Sequence, residues 1–239
     1  MLIPYQEILS KYRLRPLGVI HVGAHWGEEA EAYQKNGAKK TLWIEANPMC
    51  MKTLRENVKK YENPYFQMQS FCVNACLSDK DDEIVTFNVS NNEGQSSSFL
   101  DLEYHKIAHQ EVVYESKFQT NTKTLNSIFE DYSLFPEDFS FLNADIQGAE
   151  LLMLKGATNI IPHMDCLYIE VNEKELYKDC ALIGDIDSYL ENYGFVRKDT
   201  EMTNFGWGDA VYLKKIIYNK LRCYDIYYYT NYNLHQVEY

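Results

Sequence analysis

Clustered positive charge is scarce in this 239-residue chain: 23 Lys and Arg face 35 Asp and Glu, a formal charge of −12, and no basic run exceeds the pairs Lys39-Lys40, Lys59-Lys60 and Lys214-Lys215. Phosphate affinity is built from clustered basic side chains, so no nucleic-acid partner and no anionic-membrane surface are expected. Long apolar runs are missing as well. No stretch approaches the roughly 20 apolar residues of a membrane span, and the opening MLIPYQEILSKYRLRP mixes charges into an amphipathic pattern without a signal-peptide core. A soluble, cytoplasmic protein without a membrane span is the expectation. The six cysteines form no C-x-x-C pair and no regular framework, which favours buried free thiols over disulfides or a zinc site. His105 and His109 stand four apart, but neither an H-E-x-x-H motif nor a cysteine partner completes a zinc set.

What is present is enough for one sizeable core, with 46% hydrophobic residues in a length short for two independent domains. One domain over residues 1–215 is expected, followed by a tail over 216–239 in which Tyr218, Tyr224, Tyr227, Tyr228, Tyr229, Tyr232 and Tyr239 crowd together. Such a tail predicts docking or homo-oligomer formation, since tyrosine buries a large ring and keeps a polar tip.

Along the chain, GVIHVG is a short apolar strand ending in a glycine turn, and residues 27–36 read as the helix that follows. TLWIEA is a second buried-type strand, with a helix after Pro48 carrying Met51, Leu54 and Val58 at helical spacing. A third strand falls within residues 71–77, and IVTFNV alternates like a half-exposed antiparallel partner. The polar stretch NNEGQSSS (91–98) reads as a loop, a short helix follows within 100–108, and a strand over 112–119. FSFLNADI and CLYIEVN are further buried strands separated by the helix GAELLMLKGA. A helix over 182–193 ends at Gly194, and FVRKDT and DAVYLKK close the fold. This alternation predicts an α/β fold with a mainly parallel central sheet, helices on both faces and a closing antiparallel hairpin. Such sheets bind ligands at the carboxyl ends of their strands, near the switch point.

The first strand ends in H-V-G-A-H-W-G, where Gly23 and Gly27 bracket a turn into a helix whose free N–H groups would suit a carboxylate. The second ends in Glu45, 22 positions after Gly23, placed to accept hydrogen bonds from an adenosine ribose. A dinucleotide fingerprint needs a second glycine where His25 stands, so NAD is disfavoured. S-adenosylmethionine, an adenosine ligand without a pyrophosphate, relaxes that requirement. The cofactor positions are then His21, Gly23, Ala24, His25 and Gly27 around the turn, Glu45, Ala46 and Asn47 after the second strand, Ala75, Cys76 and Ser78 after the third, and Asp145 after the fourth. Glu150, in the first turn of the next helix, complements the helix dipole.

These residues resemble the FkbM-type methyltransferases, a branch of the S-adenosylmethionine-dependent Rossmann-like enzymes. The matching pieces are VIHVGAHWGEEAEAY, LWIEANP, NACLSD, GQSSSFL, FLNADIQGAELLMLKGA, IEVNEKELY, GDIDSYLENYGF and WGDAVYL, in the family's order over nearly all of residues 17–214. The resemblance implies a Rossmann-like methyltransferase fold and methylation of a hydroxyl on a sugar, glycan or related small molecule. The chain departs from the commoner pattern at His21 (Asp), at His25 (Asn) and at Thr124-Leu125-Asn126, where the family has Thr-Leu-Asp.

Methyl transfer to an alcohol needs alignment and a group that takes the alcohol proton. Asp145 is the leading base, with His105 and Glu170 in reserve, and Gln95, Ser96, Ser97, Ser98 and Asn172 are assigned to the acceptor. Asp145, Glu170 and Asn172 are also hard oxygen donors of the kind a divalent ion takes, but no metal is assigned. Two other classes stay open: a scaffold protein that keeps the fold without catalysis, and a nicotinamide-dependent oxidoreductase, which His25 weakens.

Overall fold

Apolar segments rich in β-branched and aromatic residues become strands wherever both of their faces can be covered, and here that condition yields a central sheet between two helical layers. The computed structural model describes residues 1–62 and 68–218. In chain order the elements are α1 (Tyr5–Lys11), β1 (Gly18–Val22), α2 (Ala30–Lys35), β2 (Lys40–Glu45), α3 (Met51–Tyr61), β3 (Gln69–Asn74), β4 (Cys76–Leu77), β5 (Ile84–Ser90), α4 (His105–Ala108), β6 (Tyr114–Lys123), α5 (Leu125–Asp131), β7 (Phe141–Ala144), α6 (Glu150–Lys155), β8 (Cys166–Asn172), α7 (Ile183–Glu191), β9 (Phe195–Met202) and β10 (Trp207–Lys214).

The central sheet has the order β3-β2-β1-β7-β8-β10-β9. Its first five strands are parallel, and β10 runs antiparallel to both β8 and β9, the closing hairpin expected from the sequence. One face carries Val19, Trp43, Phe141 and Tyr168 against Ile8 of α1, Tyr33 of α2 and Leu54 and Val58 of α3. The other carries Ile20, Leu42, Leu142 and Leu167 against Ile128 and Phe129 of α5, Met153 of α6 and Leu190 of α7. Each such side chain taken fully out of water contributes about 1.5–3 kcal/mol. A second, three-stranded sheet of order β4-β6-β5 hangs from the edge beyond β3, with β4 parallel and β5 antiparallel to β6.

Several boundaries differ from the sequence reading. The helix expected from Gly27 begins at Ala30, because Gly27 sits at φ +76° and packs so closely that a Cβ there would lie 2.9 Å from Leu54 Cδ1. The helix expected within 100–108 is one turn, since Leu102 bridges to Tyr177 and the amides of Glu103 and His105 bond the Leu176 carbonyl instead. The strand expected over 112–119 extends to Lys123, where β4 pairs with it. The five described cysteines are unpaired, and no described helix is long and apolar enough to cross a membrane. Cys223 and the tyrosine-rich tail past Tyr218 lie outside the described residues.

Gly23 closes β1 at φ +79°, and a Cβ on it would stand 1.7 Å from the Asp145 carbonyl oxygen. Gly184 in α7 faces open space, with nothing within 4 Å of where a Cβ would stand. The expected result in urea denaturation is opposite for the two: Gly23→Ala loses about 3 kcal/mol or more, whereas Gly184→Ala gains about 0.5–1 kcal/mol from the better helix former.

Candidate active site

β1 and β7 lie side by side, yet the chain leaves β1 toward α2 on one face and leaves β7 toward α6 on the other. A crevice opens where the order reverses. Its volume is about 290 Å³, and its walls come from the ends of β1, β2 and β7, the β3–β4 junction and the 91–98 loop.

Glu45, buried at the end of β2, ties the turns together. Its Oε2 accepts the His25 N–H at 2.8 Å and its Oε1 accepts the Asn47 N–H at 2.7 Å. Burial raises the Glu45 pKa, opposed by those two N–H donors. Each oxygen keeps lone-pair capacity for another donor. The turn itself differs from expectation. The amides of Gly23 and Ala24 both donate to the Ile44 carbonyl, at 2.9 and 3.0 Å, and the Gly27 amide donates to Ala24, so these N–H groups are not free to receive a carboxylate.

His25 holds the left-handed conformation at φ +44° and stacks on Trp26 with ring centres 4.4 Å apart. Its Nδ1 lies 2.8 Å from Glu28 Oε1 and its Nε2 lies 3.0 Å from the Glu93 carbonyl. Burial alone would lower the pKa of this imidazole, but two acceptors, chiefly Glu28, reverse the direction and raise it. Held between these two partners, the ring clasps the glycine turn to the 91–98 loop. Deeper in, buried His21 is held below its usual pKa by burial, against the pull of Glu29, with Nδ1 3.1 Å from the Tyr33 hydroxyl and Nε2 3.3 Å from the Asn143 amide.

The end of β7 is acidic. Asp145 opens into the crevice, yet enough protein surrounds it that desolvation, and then the Asp209 charge, raise its pKa. Gln147 Nε2 donates to Asp145 Oδ1 at 2.5 Å and to Glu170 Oε2 at 3.1 Å. Burial and then the neighbouring Asp145 push the Glu170 pKa well above its usual value. Glu150 accepts from the amides of Ile146 (2.8 Å) and Gly148 (3.3 Å), and burial pushes it up to about 7. Carboxylate oxygens of Asp145, Glu150 and Glu170 lie within 4.8 Å of one another, with the Gln147 amide donating among them. Asp209 of β10, in register with Glu170, accepts from the Tyr168 hydroxyl and, at 2.6 Å, from the Leu2 amide.

Of the residues singled out in the sequence, His21, Gly23, Ala24, His25, Glu45, Ala46, Ala75, Cys76, Gln95, Ser97 and Asp145 line the crevice. The others stand behind it, each for a physical reason. Gly27 packs on Leu54, the Asn47 amide is taken by Glu45, and Ser78 is buried with its N–H on the Lys123 carbonyl. Ser96 is held by Ser90 and Asn92, and Ser98 by Asn88 and Gln147. His105 packs against His109 and Tyr177, which puts it one layer behind Gln147, and burial lowers its pKa to about 4. Glu170 is reached through Gln147, and buried Asn172 finds no partner for Oδ1 among the described residues. Asn126 caps Thr158 and Asn159 far from the crevice, so that departure leaves its walls unchanged.

The sequence reading missed Gln147, Asn143, Tyr168, Asp209, Phe87, Phe99 and Met1, all of which line the crevice. Gln147 was visible two positions after Asp145, and Asp209 lay within WGDAVYL, but its register opposite Glu170 is a tertiary fact.

A family model described as the methyltransferase FkbM domain matches residues 21–197. The chain is 25% identical over 199 residues to the 2-O-methyltransferase NoeI of Sinorhizobium fredii, covering 80% of this chain and 78% of that one. Among solved structures it is similar to the methyltransferase FkbM of Methylobacillus flagellatus, with a TM-score of 0.51 and 16% identity over 82% of this chain; the chain spans 43% of that protein's length.

The His25 clasp gives a pH signature. A folded-state pKa raised above the unfolded value of about 6.5 contributes stability that is fully present below that value and lost as pH rises through the folded pKa. The stability of the wild type relative to His25→Gln, read by urea denaturation across a pH series, is expected to be greatest in mild acid and to shrink toward alkaline pH. A flat difference would show a neutral ring.

Proposed function

The chain belongs to the FkbM methyltransferase domain family, and from that premise we propose that it is an S-adenosylmethionine-dependent O-methyltransferase acting on a hydroxyl of a sugar, a glycan or a related small molecule. The observation that carries this reading is the pairing of Glu45 and Asp145 in one crevice, on either side of a turn that lacks the dinucleotide glycine. The relative's name, 2-O-methyltransferase, supports oxygen as the atom methylated. The sugar-like acceptor rests on the resemblance of the chain's motifs.

The donor set fits the cofactor. Glu45 retains acceptor capacity for ribose hydroxyls, and Ala75, Cys76, Leu77 and Phe87 supply an apolar wall for an adenine. Glu28, Glu29 and Asp145 line the remaining wall with negative charge, which suits a ligand cationic at its amino and sulfonium groups. When bound, S-adenosylmethionine supplies a methyl on a positive sulfur: the O–CH₃ bond forms, the S–CH₃ bond breaks with its electron pair returning to sulfur, and the acceptor hydroxyl loses a proton.

The chain's tasks are then alignment, exclusion of water and uptake of that proton. Alignment is worth up to about 7–11 kcal/mol in favourable cases. Asp145, open to the crevice and hydrogen-bonded on its inner side by Gln147, is the group assigned to the proton. Gln95, Ser97 and Phe99 form the rim against which an acceptor would lie.

Two substitutions separate the roles. Glu45→Ala should weaken binding of S-adenosylhomocysteine by about 1.5–3 kcal/mol in calorimetry, the scale of hydrogen bonds to a charged group. Asp145→Asn should lower methyl transfer to a hydroxylated acceptor by about 10²–10⁴-fold while changing that affinity little. Wild-type turnover in the Asp145 variant would remove it from the reaction.

A further inference from the structure

Gln147 enters the reading above only through its hydrogen bond to Asp145, yet four groups converge on it. Its Nε2 faces Asp145 Oδ1 at 2.5 Å and the two Glu170 oxygens at 3.3 and 3.1 Å. Its Oε1 accepts from the Tyr177 hydroxyl, and its backbone carbonyl accepts from Ser98 Oγ at 2.9 Å. The backbone stands at φ +57°, a left-handed conformation uncommon for a residue with a side chain, so the surroundings and not local preference hold it there.

We propose that Gln147 is the positioning residue of this site: its amide seats the negative charge of the Asp145–Glu170 pair on Asp145, and its carbonyl ties the 91–98 loop to the same point. The proposal takes its functional meaning from the methyl-transfer reading. Two carboxyls need a donor and the Tyr177 hydroxyl has a proton to give, so one amide orientation satisfies all three. The shorter bond goes to Asp145, the member of the pair that faces the crevice. Glu170 lies behind, away from the crevice lining, where burial and the neighbouring Asp145 disfavour its charge.

Of the described groups facing Asp145, none but Gln147 hydrogen-bonds both carboxylates. Glu150 comes from α6, Asp209 from β10, Tyr177 from the segment after β8 and the Met1 amine from the segment before α1. The acidic members among them disfavour charge anywhere in the group, and the amine favours charge on Asp145 in the same direction as the Gln147 amide. Ser98 adds the link to the loop, because its hydroxyl reaches the Gln147 carbonyl while its N–H and C=O pair with Asn88 of β5.

The test is a carbon-13 carboxyl titration by NMR of the whole protein without acceptor, with Asp145→Asn and Glu170→Gln used to assign the signals. Replacing Gln147 by Met keeps an unbranched chain of similar length and removes the donor. The lower macroscopic pKa of the pair should rise by about one to two units. Tyr177→Phe frees the amide to rotate and should move the same pKa in the same direction by less. Titrations that match the wild type would overturn the proposal, and Tyr177→Phe alone decides it if Gln147→Met does not fold. Ser98→Ala should leave the titration in place and raise the KM of a hydroxylated acceptor; an unchanged KM would overturn the loop tie. Because the titration needs no substrate, variants that shift as expected beside a wild type that methylates nothing would sink the methyl-transfer reading and leave the charge placement standing.

Discussion

Where β1 and β7 run side by side, their ends diverge toward opposite faces of the sheet, and the divergence leaves no room for a side chain at Gly23, whose missing Cβ would sit 1.7 Å from the Asp145 carbonyl. Backbone contact at this point fixes the distance between the two strand ends. Glu45 follows, since the turn after Gly23 donates the His25 amide to its carboxylate. Asp145 follows too, because its own amide is held by the Val22 carbonyl at 3.0 Å. The crevice is therefore framed by backbone geometry before any side chain is chosen.

That frame concentrates acid in a small volume, and each carboxyl is kept there by a different device. Glu45 and Glu150 receive backbone amides, Asp209 receives a tyrosine hydroxyl and the Leu2 amide, and Asp145 and Glu170 share one side-chain amide. Unpaired, such buried groups would cost several kcal/mol each. Their arrangement leaves Glu45, Asp145 and Asp209 lining the crevice and keeps Glu150 and Glu170 bonded behind it.

The strand ends were legible in the sequence because they depend on period and punctuation. Apolar runs such as LWIEA and FLNADI stop at an acid followed by a turn, and that pattern placed Glu45 and Asp145 correctly on one edge. What sequence periodicity could not carry was the state of the turn amides. The Ile44 carbonyl takes two of them, a contact between strands that no local motif announces. Asp209 entered the site through antiparallel register with Glu170, and His105 left it because the chain at Leu102 turned to pair with Tyr177. Gln147 was read as one letter of a motif; its meaning came from the four partners that tertiary structure delivers.

The 91–98 loop is carried not by the central sheet but by β5, in the three-stranded sheet that adjoins the main one through β4. The two halves of the crevice consequently have separate scaffolds, with Glu45 and Asp145 on parallel strands of one and Gln95 and Ser97 on a hairpin extension of the other. The two scaffolds are joined across the crevice by the His25–Glu93 and Ser98–Gln147 contacts. The rim and the inner wall thus grow from different sheets and meet at those two contacts.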